Sequence, residues 1–344
     1  METVVYRSDT PEERRRAVEA AARLLRQGEL VAIPTETVYG LAANALDPRA
    51  VEEIFRAKGR PNDNPLIVHI ADREALPQVV SRVPDSARQL MDRFWPGPLT
   101  IILPRNPQVP DATTAGLDTV AVRMPSHPLA REIIRASGLP LAAPSANRSG
   151  FPSPTTARHC IDDLTGRVSA IVDGGSCGFG VESTVITLAG EQPRLLRPGA
   201  VTLEEMEAVI GPIQVDPAVT DQLQAGAVAA SPGMKYKHYS PKARVYLVRG
   251  SRESFCRYVN ALPGEDIFAM VFDGEKEGLV KPAFEYGAEQ DHLGQARELF
   301  RLLREFDDLG AREVYVRCPA TDGVGLAVYN RLIRAAAFTF IDLD

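Results

Sequence analysis

The chain has 344 residues, long for a single hydrophobic core, so two domains are expected. Its 44% hydrophobic and 24% charged residues are those of an ordinary globular protein, and a net charge of -6 excludes one that coats nucleic acid through a broad basic surface. Any anion site must then be a local cluster of cations.

Thr10-Pro11-Glu12-Glu13 opens the first predicted helix with a hydroxyl cap, a proline at the first helical position and an acid at the third. Val18, Ala21, Ala22 and Leu25 continue it at helical spacing until Gly28. Leu30 to Ile33 reads as a short buried strand, and Pro34 stops it so that Thr35, Glu36 and Thr37 emerge at a strand end, where α/β proteins keep their ligands. A second helix starts at Asp47-Pro48, carries Val51, Ile54 and Phe55 on one face and is closed by Gly59, which puts Lys58 in its last turn. A cation there also suits the negative end of the helix, so spacing alone leaves Lys58 open between capping and ligand binding. Arg60, fixed by Pro61 just past the glycine, is harder to explain as a cap.

Further strands are predicted at 66–70, 99–103, 119–124, 139–143, 170–172 and 185–188, with helices near 86–94, 128–136 and 156–164, a mixed α/β domain over residues 1–210. Residues 211–243 hold prolines at 212, 217, 232 and 241 and no long apolar face, the look of a linker. Beyond it, strands at 245–248, 267–272 and 313–316 alternate with helices near 252–262, 293–308 and 325–337, which predicts a smaller Rossmann-like domain over 244–344. Cys160, Cys177, Cys256 and Cys318 form no CxxC pair, so neither a zinc ribbon nor a dithiol motif is supported. The N-terminus lacks a signal-like pattern and no long uncharged apolar run occurs, so a cytoplasmic protein with no membrane association is expected.

No Walker-type loop and no GxGxxG are present, so a nucleotide must be held differently. Lys58 and Arg60 supply charge, Ser145 and Asn147 supply short donors, and Ser149-Gly150 allows close backbone approach. Transfer at phosphorus needs mainly positioning and neutralisation, so these donors with one divalent ion are chemically sufficient. Loss of Lys58 or Arg60 is expected to lower activity with little change in stability. Arg123, at the end of an apolar strand, can offer a planar two-donor fork to a carboxylate.

Ile33-Pro34-Thr35-Glu36-Thr37-Val38-Tyr39-Gly40-Leu41, Lys58-Gly59-Arg60-Pro61, Asn64-Pro65-Leu66, Trp95-Pro96-Gly97-Pro98-Leu99-Thr100 and Pro144-Ser145-Ala146-Asn147-Arg148-Ser149-Gly150 together resemble the YrdC-type threonylcarbamoyl-AMP synthases. Ser231 to Tyr239 and the extra C-terminal third resemble the longer, two-domain form of that family. The resemblance implies a YrdC-like mixed twisted sheet with a basic cleft. It also implies a nucleotidyltransferase that joins L-threonine, bicarbonate and ATP, with Mg2+ accompanying the ATP, into threonylcarbamoyladenylate and pyrophosphate. A downstream machinery that modifies tRNA is the implied partner.

On this resemblance Lys58, Arg60, Ser145 and Asn147 are catalytic, and Thr35, His69, Arg123, Ala143 and Ser183 surround threonine. Asn62, Thr119, Ser153, Arg197, Tyr236 and His238 join the four catalytic residues on the nucleotide, and no residue is assigned to a metal. Taken singly, each has a plainer reading: His69 as a core histidine, Arg123 as a solvent-facing cation, Arg197 as a turn residue before Pro198-Gly199, Ser183 as a turn hydroxyl. Their joint occurrence with the two loops favours the site. Glu36 stays open between metal ligand, base and a group that orients Lys58 or Arg60. Two competing readings are a tRNA- or double-stranded-RNA-binding module without chemistry and a carbamoyltransferase of the same fold. The negative balance and the lack of a long Lys/Arg run speak against the first, leaving direct tRNA contact weak. The second usually travels with zinc-finger and acylphosphatase-like parts, and neither is evident. Residues 231–239, aromatic and basic between glycine and proline, are expected to fold over the cleft as a lid.

Overall fold

The computed structural model describes residues 2–221 and 239–343. Tyr236, His238 and the rest of the expected lid apart from Tyr239 lie outside the described residues. Two compact units divide the chain: residues 2–149 with 153–219, and residues 150–152 with 220–221 and 239–343.

In the first unit eleven strands form one mixed sheet, in the order Val4–Tyr6, Ala170–Val172, Val31–Ile33, Gly40–Asn44, Leu141–Ala142, Ile67–His69, Thr119–Arg123, Leu99–Pro104, Thr184–Thr187, Arg194–Arg197 and Gln214–Val215. Its central strands are mostly apolar because both faces are covered. Ala32, Leu41 and Ala43 pack into one core with Val51, Ile54, Phe55, Leu90 and Met91. Val31, Ile33 and Ala42 point the other way, onto Ala17, Ala21 and Leu25 of the helix Pro11–Arg26 and Ile133 and Ile134 of the helix Pro128–Ser137. Local signals fix the helix ends. Thr10 and Glu13 form a reciprocal capping box, Asp47 caps Pro48–Lys58, and Gly59 ends that helix in the left-handed region at φ 63°.

Register sets up the site. His69 lies opposite Arg123 on the neighbouring parallel strand, and Arg123 lies opposite Thr100 on the antiparallel strand beyond it. Residues opposite one another on a ladder share a face, so three polar side chains meet on one side of an otherwise apolar sheet.

The second unit is built on five parallel strands, ordered Ala283–Glu285, Ile267–Val271, Glu313–Arg317, Arg244–Arg249 and Phe340–Asp342. The predicted alternation of strand and helix is present, but the order differs from the Rossmann pattern. There the first strand neighbours the second, whereas here Glu313–Arg317 lies between Arg244–Arg249 and Ile267–Val271. At the carboxyl ends of these strands Arg317 is paired with Glu275 at 3.0 Å and lies over the rings of Phe255 and Phe272, a packed ion pair that holds the loops to each other. No helix among the described residues is long and apolar enough to cross a membrane.

Candidate active site

Pro34 ends the strand Val31–Ile33, and the chain turns through Thr35, Glu36 and Thr37 before Gly40 resumes the sheet. The turn is held by Thr35, whose hydroxyl donates to the Val38 carbonyl at 2.6 Å and accepts from the Thr37 amide at 3.2 Å. It presents two groups to Arg123. Thr37 Oγ1 accepts from Arg123 Nη1 at 2.8 Å, and Glu36 Oε1 stands 2.7 Å from Arg123 Nη2. Arg123 Nε donates to the Gly97 carbonyl at 3.2 Å, so all three guanidinium nitrogens have protein groups beside them. Gly97 is needed where it stands, because a Cβ there would fall 2.3 Å from the Phe94 carbonyl oxygen. Arg123 is buried, not solvent-facing, at 4% exposure.

Burial pushes the Glu36 carboxyl up, but Arg123 and the main-chain amides of Ser126 and of Glu36 itself outweigh that and hold it below the usual carboxylate range. Glu36 is therefore ionised, and its ion partner is Arg123, not Lys58 or Arg60. His69 is also buried, its Nδ1 3.3 Å from the Ile67 carbonyl, which the Ala143 amide reaches as well at 3.0 Å. Burial, with Arg123 beside it, pulls the imidazole down to about 3, so it is neutral at ordinary pH. With Nδ1–H donated to Ile67, Nε2 remains as an acceptor.

Ser183 extends the cluster. Its hydroxyl lies 2.8 Å from Thr100 Oγ1 and accepts from Arg197 Nη2 at 3.2 Å, while Arg197 Nε donates to the Ser183 carbonyl at 3.0 Å. Arg197 thus ties a residue expected on the threonine side to the nucleotide side. Gly199 makes the tie possible: a Cβ there would meet Thr184 N at 2.4 Å and Thr184 Oγ1 at 2.7 Å. Gly199→Ala is expected to lower stability by about 1–3 kcal/mol and to slow turnover by shifting Ser183. A urea midpoint equal to that of the unsubstituted protein would show that this contact does not matter.

The second group forms around Lys58. Its Nζ donates to the Ser145 carbonyl, to the Asn147 carbonyl at 2.6 Å and, at 3.4 Å, to Asn147 Oδ1, while the Ser149 amide returns a bond to the Lys58 carbonyl at 2.9 Å. Burial and the nearby Arg60 pull the ammonium down to about 7, against three acceptors that favour its charged form. The loop is strapped to the sheet by a bridge between Gly40 and Ser145 and by Ala146 N donating to the Tyr39 carbonyl at 2.8 Å. Ser153 is buried and donates to Glu182 Oε1.

Thr35 thus reaches Arg123 through Thr37, His69 and Ala143 share the Ile67 carbonyl, Ser183 touches Thr100, strand register sets Arg123 between His69 and Thr100, and Lys58, Ser145 and Asn147 are joined by hydrogen bonds. Arg60 is half-buried, Asn62 is exposed on the loop after it, and Thr119 opens its strand half-buried. Lys58, Arg123 and Arg197 are each less than one-tenth exposed. Such cations suit a small anion better than a nucleic acid surface. The sequence reading placed Thr37 at a strand end without giving it a role, and gave none to Gly97, Thr100 or Glu182. All four lie in or beside segments already singled out, but the pairings that give them a role join residues far apart in the chain.

Two family models match consecutive parts of the chain: Sua5/yciO/yrdC, described as telomere recombination, over residues 23–199, and the C-terminal domain of threonylcarbamoyl-AMP synthase over residues 201–337. The chain belongs to the threonylcarbamoyl-AMP synthase family. Within it, the threonylcarbamoyl-AMP synthase of Pyrococcus abyssi is 47% identical over 94% of this chain and 95% of that relative. That of Bacillus subtilis is 49% identical over 92% of each. Among solved structures, P. abyssi Sua5 complexed with L-threonine matches all of both chains at 44% identity with a TM-score of 0.90. E. coli YciO, at 27% identity and a TM-score of 0.52, covers 58% of this chain and 96% of its own.

Proposed function

We propose that the chain condenses L-threonine with bicarbonate and ATP, releasing pyrophosphate and L-threonylcarbamoyladenylate for a machinery that modifies tRNA. The observation that carries this reading is the cluster of Arg123, neutral His69 and the Thr100–Ser183 hydroxyl pair on one face of the sheet, beside the Lys58–Asn147 loop. Arg123 gives its fork to the amino-acid carboxylate. His69 Nε2 accepts from the substrate hydroxyl, Ser183 stands by to complete its hydrogen bonding, Thr35 holds the turn that borders the pocket, and Ala143 closes it.

The carbamate formed on the threonine nitrogen is an anion that must approach the ATP α-phosphate, and like charges a few Å apart repel strongly in a poorly solvated site. Lys58, Arg60 and Arg197 relieve that repulsion, with Ser145, Asn147, Asn62, Thr119 and Ser153 orienting the nucleotide. Mg2+ would accompany the triphosphate and neutralise its oxygens. Among the described residues no group of three or more His, Cys, Asp or Glu stands ready for a metal, which suits an ion held mainly by phosphate and water.

Threonine-dependent pyrophosphate release, with alternative amino acids, tests the reading. Serine is expected to react about 10- to 200-fold less efficiently for want of the methyl contact, and valine at least ~1,000-fold less, because it leaves buried polar groups unpaired. Equal rates with valine and threonine would overturn the proposal.

A further inference from the structure

Glu36 has a charge partner but no complete set of hydrogen bonds. It is 9% exposed, and its Oε1 lies 2.7 Å from Arg123 Nη2. The main-chain amides of Ser126 and of Glu36 itself stand near enough to favour its charge, yet neither carboxylate oxygen, nor Arg123 Nη2, is met by a well-aligned hydrogen-bond partner. The turn that carries it is held on every side: Thr35 closes it, Thr37 is bonded to Arg123, and the Glu36 carbonyl accepts from the Phe179 amide at 2.9 Å. A buried carboxylate fixed in place with lone pairs to spare is costly unless something brings donors to it.

We infer that Glu36 and Arg123 form a dipolar seat for the zwitterionic head of the amino-acid substrate, Arg123 taking the α-carboxylate and Glu36 the α-ammonium. This rests on the proposed function and adds a residue to it. The chemistry is one of matching charge. A carboxylate bound at Arg123 without an ammonium would bring a second negative charge next to Glu36 in a buried place. A zwitterion adds no net charge, and it lays its positive end against Glu36 while its negative end meets Arg123. The α-ammonium has three donors, which answers the unfilled capacity of Oε1 and Oε2. Glu36 is the seat of this group and not its base, since a carboxyl held below its ordinary range is a weak acceptor for an ammonium proton. Thus Glu36 selects for amino acids over hydroxy acids of the same shape.

Calorimetric titration of the full chain with L-threonine and with (2S,3R)-2,3-dihydroxybutanoate, which replaces the amine by a hydroxyl, tests this. The unsubstituted protein is expected to prefer threonine by about 30-fold or more, the order of loss when one member of a buried charge pair is removed. In Glu36→Gln, of the same shape without the charge, threonine affinity should fall by a similar factor while the hydroxy acid, freed of the repulsion, binds as well or better, so that the preference collapses and ATP affinity is kept. An equal loss for both ligands would mean that Glu36 acts only by placing Arg123, and would overturn the inference, as would unchanged threonine affinity. Should the variant not fold, equal affinity of the unsubstituted protein for the two ligands overturns it without any substitution. Absence of threonine binding altogether would overturn the proposed function along with it, an outcome distinct from binding without preference.

Discussion

Arg123→Ala is expected to reduce threonine-dependent pyrophosphate release by at least ~1,000-fold and to lower the melting temperature by about 6–20 °C. The loss of activity follows from removal of the carboxylate fork, which in the proposed site has no substitute. The loss of stability follows from burial. Both members of the Glu36–Arg123 pair are at most one-tenth exposed, and removing one partner of such a pair costs about 3–5 kcal/mol because the other is left charged and unanswered. At roughly 2–4 °C per kcal/mol for a unit of this size, a thermal scan resolves it easily. Adding Glu36→Gln to Arg123→Ala should return part of the stability and none of the activity. A single Arg123→Ala variant that melts with the unsubstituted protein would show that the pair contributes nothing to the fold.

Lys58→Ala should lower activity about 100-fold and also lower stability, by about 1–3 kcal/mol. Sequence alone suggested a cation whose removal the fold would not notice. In the structure Lys58 is buried, and its ammonium satisfies the carbonyls of Ser145 and Asn147, which alanine would leave without that donor. Arg60, only half-buried, is expected to lose activity in its alanine variant with a smaller change in stability. Paired measurements of turnover and urea midpoint separate the two roles. If Lys58→Ala unfolds at the same urea concentration as the unsubstituted chain, the helix end and the loop are joined by something else.

Much of this architecture was legible because it rests on local rules. The capping box at Thr10, the Asp47 cap and the Gly59 stop are short-range signals, and the helices they bound appear within a residue or two of where they were expected. Gly40–Asn44 was not read as a strand because glycine, alanine and asparagine have little strand preference. It is a strand because small side chains let it pack between Val31–Ile33 and Leu141–Ala142. Val4–Tyr6 was missed as a short edge strand with Val4 and Val5 largely exposed, so no buried face marks it. The C-terminal strand order could not be read at all, since alternation of strand and helix says nothing about which strands become neighbours. At the site, residue types were informative and partners were not. Glu36 could be seen to matter, but only the return of the chain at Arg123 shows which cation it faces.

The alignment of His69, Arg123 and Thr100 across three strands also limits how a chain like this one can change over evolutionary time. Side chains on a strand alternate with a period of two, so one residue inserted within Ile67–His69, Thr119–Arg123 or Leu99–Pro104 would turn a site residue through the sheet into the hydrophobic core. No compensating substitution nearby could recover it, because every residue downstream in that strand would have changed sides. Point changes can be tried one at a time in these strands, whereas changes in length can accumulate only in the loops between them.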